Sequence, residues 1–91
     1  MAEPVLNFTI TPHAANEMRR RGIEEELVRR VLLAPEQREA VRAGRDVLQS
    51  RVEIQGHVYL LRIFVDVDRS PREVVTAYRT SKIDKYWSKM P

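Results

Sequence analysis

The sequence predicts an α+β fold: a short N-terminal strand and two helices packed on an antiparallel sheet of three to four strands, closed by a short C-terminal helix. Three observations support this. Apolar residues recur at helical spacing from Pro12 to Leu33, they alternate in strand fashion after Pro35, and the helical period returns after Ser81. With 91 residues the chain is expected to form a single domain, 1–91, around one core. Residues 1–7 and 89–91 are the segments most open to disorder.

The elements follow in order. Residues 5–10, VLNFTI, read as a short strand. Thr11-Pro12 then offers a hydroxyl N-cap with proline at the first helical position. This helix should run to about Arg21 and stop at Gly22, a natural residue beyond a helix C-terminus. Ile23 opens a second helix, whose first turn collects Glu24, Glu25 and Glu26 where the helix dipole favours acids. Leu27, Val28, Val31 and Leu32 form its apolar stripe, and Ala34-Pro35 ends it. REAVRAG suggests a strand leading to a turn at Gly44. RDVLQSRVEI alternates, with Leu48, Ser50, Val52 and Ile54 on one side, and Gln55-Gly56 signals a hairpin. HVYLLRIFVDV is apolar on both faces, as a central strand would be. DRSPR is a turn, and EVVTAYRT is the last strand. At the end Ile83, Trp87 and Met90 share one helical side, with Lys82, Lys85 and Lys89 on the other.

Composition narrows the function. The chain has no cysteine, which removes disulfides and thiolate zinc sites, and only two histidines, His13 and His57. No apolar run approaches the roughly 20 residues that span a bilayer, and the N-terminus lacks a signal-peptide pattern; a soluble cytoplasmic protein with no membrane association is expected. The formal charge of +3 is concentrated: all three lysines lie from Lys82 onward, and with Arg79 against Asp84 this stretch carries the whole net charge. Such a patch either attracts polyanions or is a solvated tail.

Several side chains are candidates for chemistry. Arg62 sits within YLLRIFV, where a charge is costly unless paired or open to solvent. It is either a snorkelling or ion-paired arginine at the sheet surface, paired with Glu53 or Glu73, or a phosphate ligand whose planar fork suits oxyanions. Tyr78 and Arg79 face opposite ways if the strand persists to Thr80. If it ends near Ala77, a turn could bring Arg79 and Lys82 together. Tyr78 is either an aromatic cap on the core or a functional phenol. His13, in the first helical turn beside Glu17 and Arg20, is either a surface residue or a general acid or base, work that needs titration near neutrality. His57 is read as a strand-end residue. There is no Gly-rich nucleotide loop and no G-x-S-x-G elbow. Asp66-Val67-Asp68 is a weak metal candidate, so neither metal nor cofactor is expected.

TPHAANEMRRRGI near the start, paired with VVTAYRTSKIDKYW near the end, resembles a bacterial family catalogued as domain of unknown function 4258. The resemblance spans roughly residues 8–88. The family in turn resembles RelE-type and BrnT-type toxins among the metal-independent ribonucleases, which implies a RelE-like fold. It also implies RNA cleavage by acid–base chemistry, with RNA, including ribosome-bound message, as substrate and an antitoxin as protein partner. Carried over to this chain, His13 becomes the candidate base or acid, and Arg79 and Lys82 bind the phosphate and its transition state. Tyr78 donates a proton or stacks on a base, and Arg21 either joins them or anchors the helix end. Arg62, Lys85 and Lys89 are candidates for RNA binding on physical grounds. The alternative is a non-catalytic module of the same fold that holds RNA or an acidic protein through its lysine face and Trp87. A third reading makes the tail pure packing, with dimerisation through a sheet edge.

Overall fold

Between residues 2 and 89, the part of the chain that the computed structural model describes, eight elements follow one another. They are β1 (Phe8–Ile10), α1 (Pro12–Arg20), α2 (Glu25–Leu33), β2 (Gln37–Arg42), β3 (Arg45–Ile54), β4 (His57–Asp66), β5 (Arg72–Thr80) and α3 (Ile83–Tyr86). Thr11 caps α1 by accepting a hydrogen bond from Ala14 N at 3.1 Å, and Pro12 opens it. The helix ends as glycine allows: Gly22 adopts φ +67°, and Ile23 N reaches back to Met18 O at 2.8 Å. Gln55 and Gly56, at φ 52° and 83°, make the tight β3–β4 turn.

The strands form one five-stranded sheet in the order β1-β5-β4-β3-β2. This corrects the expected three to four antiparallel strands. The sheet is mixed, because β1 pairs in parallel with β5, Phe8 opposite Arg72 and Ile10 opposite Val74. Alternation in the sequence identifies strands but not their partners, and three residues are too few to show the orientation of a pair formed across most of the chain. The apolar strand β4 lies at the centre, as its two hydrophobic faces require.

One face of the sheet carries α1 and α2. Leu48, Leu61, Ile63, Val65, Val74 and Ala77 meet Ala14, Met18, Ile23, Val28, Val31 and Leu32 there in a single core. A β-bulge helps to build it. Phe64 pairs with Thr76 but Val65 with Val74, so Val75 is an extra residue in β5. The extra residue reverses the alternation, which lets Val74 and Ala77 both point at the helices. Residues ahead of β1 run along the end of α2: Val5 N donates to Leu32 O at 2.9 Å, and Val5 is buried.

The other face is crossed by the C-terminus. The expected amphipathic helix is a single turn, Ile83–Tyr86, and Trp87 leaves it in extended conformation with ψ 124°. Hydrogen bonds from side chains of the sheet replace helical continuation. Gln49 Nε2 donates to Tyr86 O at 3.0 Å, and Gln37 exchanges two bonds with the Ser88 backbone at 2.7 and 3.0 Å. Trp87 is held by the Arg51 guanidinium, 4.3 Å from its ring centre. Met90 lies outside the described residues.

At the far end of β4, Arg45 donates to Asp66 twice, at 2.6 and 3.2 Å. That bond holds the Asp66 carboxyl below its ordinary range, outweighing the burial that opposes it. A depressed carboxyl stabilises the fold above its unfolded pKa, near 4, and loses that effect as pH falls through the folded value. Asp66→Asn should therefore cost about 1.5–3 kcal/mol at neutral pH, as for a hydrogen bond to a charged group. In urea unfolding at a series of pH values, the gap from wild type should close below pH ~4. A gap that ignores pH would contradict the assignment.

Candidate functional site

The two halves of the sequence motif meet where α1 packs on β5. Glu17 projects from α1 with its side chain mostly buried and is surrounded by three basic groups: Arg21 at 3.0 Å, Arg20 at 3.3 Å and His13 Nε2 at 3.7 Å. Positions 13, 17 and 21 stack at successive helical turns, so one carboxylate links the exposed imidazole at the start of α1 to the guanidinium at its end. Arg21 also donates from Nη1 to Ala77 O at 2.8 Å, fastening the helix end to a β5 carbonyl that lies beyond the β1 pairing.

Arg79 completes the cluster. It lies opposite Leu61 in β4 and therefore on the helix side of the sheet. Its guanidinium reaches the glycine that ends α1: a Cβ at Gly22 would lie 3.5 Å from Arg79 Nη2. That is ordinary contact, so the position calls for glycine through its φ of +67° and not through lack of space. The Arg79 guanidinium sits 4.7 Å from the centre of the Tyr59 ring, and no carboxylate among the described residues pairs with it. His13, Arg20, Arg21 and Arg79 thus share one edge with a single acid among them.

The remaining candidates lie elsewhere. β5 does run to Thr80, so Tyr78 faces away from Arg79. On that opposite face Arg62 Nη1 donates to the Tyr78 hydroxyl at 2.6 Å and Arg62 Nε donates to Gln49 Oε1 at 2.9 Å. Three rings surround the Arg62 guanidinium, with Tyr86 at 4.5 Å, Phe64 at 5.4 Å and Tyr78 at 5.7 Å. Neither suggested carboxylate is its partner; Glu73 takes Arg69 at 3.0 Å instead. Lys85 Nζ lies 5.3 Å from the Tyr86 ring on this same side. Lys82 and Lys89 are exposed, and Lys82 contributes its backbone N–H to Thr80 Oγ1 at 3.1 Å. The catalytic set drawn from the sequence is therefore divided between two faces of the sheet.

Glu17 and Tyr59 were not singled out as functional from the sequence. For Glu17 a signal existed, because His13, Glu17 and Arg21 are spaced by four. For Tyr59 there was none, since its contact with Arg79 depends on strand pairing. Among the described residues no cluster of three or more His, Asp or Glu side chains could hold a metal, and no helix is long and apolar enough to cross a membrane.

Comparison with known proteins bears on this edge. No curated protein and no solved structure matches the chain. A family model described as Domain of unknown function (DUF4258) matches residues 10–79, a span that contains His13, Glu17, Arg21 and Arg79 and stops short of the lysines. The chain belongs to this DUF4258 family.

Proposed function

We propose that the protein acts on RNA by metal-independent acid–base cleavage at the α1–β5 edge. One observation carries this reading: an exposed imidazole and two guanidiniums share that edge, with one carboxylate tying the imidazole to the nearer arginine. His13 removes the proton of a ribose 2′-hydroxyl, and Glu17 stabilises the imidazolium that forms. The 2′ oxygen bonds to phosphorus, Arg21 and Arg79 offset the charge of the pentavalent transition state, and the bond to the 5′ oxygen breaks. The leaving 5′ oxygen takes its proton from solvent. The further steps, that the fold is RelE-like and the protein is a toxin restrained by an antitoxin, rest on the motif resemblance alone.

A second reading is binding without cleavage. It is favoured by the opposite face, where Arg62 has aromatic and amide neighbours but no carboxylate among the described residues, and Lys85 lies over Tyr86. One assay separates the two. Pure protein incubated with single-stranded and ribosome-bound RNA in EDTA should give fragments ending in 2′,3′-cyclic phosphate and 5′-hydroxyl. RNA that is bound but left intact across these substrates would favour the second reading and remove the first.

A further inference from the structure

Among the described residues Arg79 is held not by an acid but by a ring. Its guanidinium lies 4.7 Å from the Tyr59 centroid, and the His57 ring stands edge-on to Tyr59 at 6.5 Å and 62°. Both rings project from the start of β4 on the helix side of the sheet, because Tyr59 pairs with Val52 and His57 with Ile54. His57 is exposed and Tyr59 is partly so. Guanidinium and rings therefore form a short array, cation over ring and ring edge-on to ring, beyond the end of α1 and next to the edge proposed above to bind phosphate.

The surroundings set a direction. A cleft of about 360 Å³ opens between the start of α2 and the β3–β4 hairpin. Gly22, which Arg79 approaches, lines it together with Leu27, Ile54, Arg30 and three acids, Glu24, Glu26 and Glu53. Three carboxylates against the one guanidinium of Arg30 disfavour a phosphate in this cleft, so a nucleic-acid backbone passing here belongs on the Arg21 and Arg79 side. The uncharged base is the part that turns toward the rings. A base has a π-face whatever its sequence, and stacking on aromatic and guanidinium groups is how single strands are held without base-pair readout. Duplex bases are already stacked and cannot use such a platform.

We infer that Tyr59 and His57, with Arg79 over the Tyr59 ring, form a base-stacking subsite for single-stranded RNA beside the α1–β5 edge. The inference rests on the reading that this edge handles RNA, but it needs no cleavage. Its test therefore uses a labelled 2′-O-methyl oligonucleotide, which has no 2′-hydroxyl to react, as a single strand and as a duplex at one fixed salt concentration. Tyr59→Leu should weaken single-strand binding about 5- to 150-fold, the range for losing one stacked base. Tyr59→Phe should bind like wild type, and duplex affinity should change little in either variant. Unfolding curves show whether the variants are folded.

The outcomes separate this inference from the catalytic reading. Binding that depends on the Tyr59 ring, by a protein that leaves natural RNA intact, keeps the subsite and removes catalysis. Cleavage with Tyr59→Leu binding like wild type keeps catalysis and overturns the subsite. Equal loss on single strand and duplex also overturns it, because Tyr59 would then only position Arg79. Absence of single-strand binding by wild type overturns it outright.

Discussion

His13→Ala is expected to lower RNA cleavage by about 10²- to 10⁴-fold, the usual contribution of a positioned acid or base, while leaving the fold intact. The His13 side chain is 73% exposed and its contact with Glu17 is long, at 3.7 Å. Surface substitutions of this kind change stability by about 0.5 kcal/mol or less. Glu17 keeps Arg20 and Arg21 when the imidazole is removed, so no buried charge is left alone. Single-turnover cleavage by the variant, beside its urea unfolding curve, checks both halves of the expectation. A folded variant that cleaves at the wild-type rate would remove His13 from the reaction.

The largest effect on stability is expected in the centre of the sheet. Ile63 is fully buried in β4, between Leu48 on β3 and Ala77 on β5, beneath the two helices. Ile63→Ala removes apolar contact and leaves a space that paired strands cannot close, a change that costs about 2–5 kcal/mol. Set against the roughly 5–15 kcal/mol available to a domain of this kind, that is a large fraction of the total. Val58 provides the contrast: it lies in the same strand but is 56% exposed. Val58→Ala should cost no more than about 1 kcal/mol, the span of strand propensity. Urea midpoints at unchanged slope measure both, and equal losses would contradict this account of the core.

Local signals in the sequence marked most of the elements. Thr11-Pro12, Gly22, Gln55-Gly56, the alternation of β3 and the apolar run of β4 each act within a few residues, and the structure uses each as expected. What was not legible depends on distant partners. The parallel pairing of β1 with β5 adds the fifth strand, and the extra residue at Val75 turns Val74 to the core. The end of the chain shows the same limit. Spacing suggested a helix through Trp87, but Gln37 and Gln49 capture the Tyr86 and Ser88 backbone groups and halt it after one turn.

The candidate site was legible as two motifs but not as one place. Once β5 runs to Thr80, Tyr78 and Arg79 cannot share a face, although they are neighbours in sequence. Arg79 instead meets Gly22, and Arg21 meets Ala77 O, from the other end of the chain. The basic tail stands out in the sequence because it holds the net charge. The edge groups His13, Arg20 and Arg21 draw less notice because the acids of the first 78 residues balance them in any count.

The central claim is that RNA meets the protein on the α1–β5 edge. Titrating the labelled protein with a non-cleavable single-stranded RNA and following backbone amide chemical shifts tests it residue by residue. The account predicts that shifts concentrate at Glu17, Arg21, Gly22, Ala77 and Arg79. Shifts confined to the opposite face, around Gln49, Arg62 and Tyr86, would contradict it.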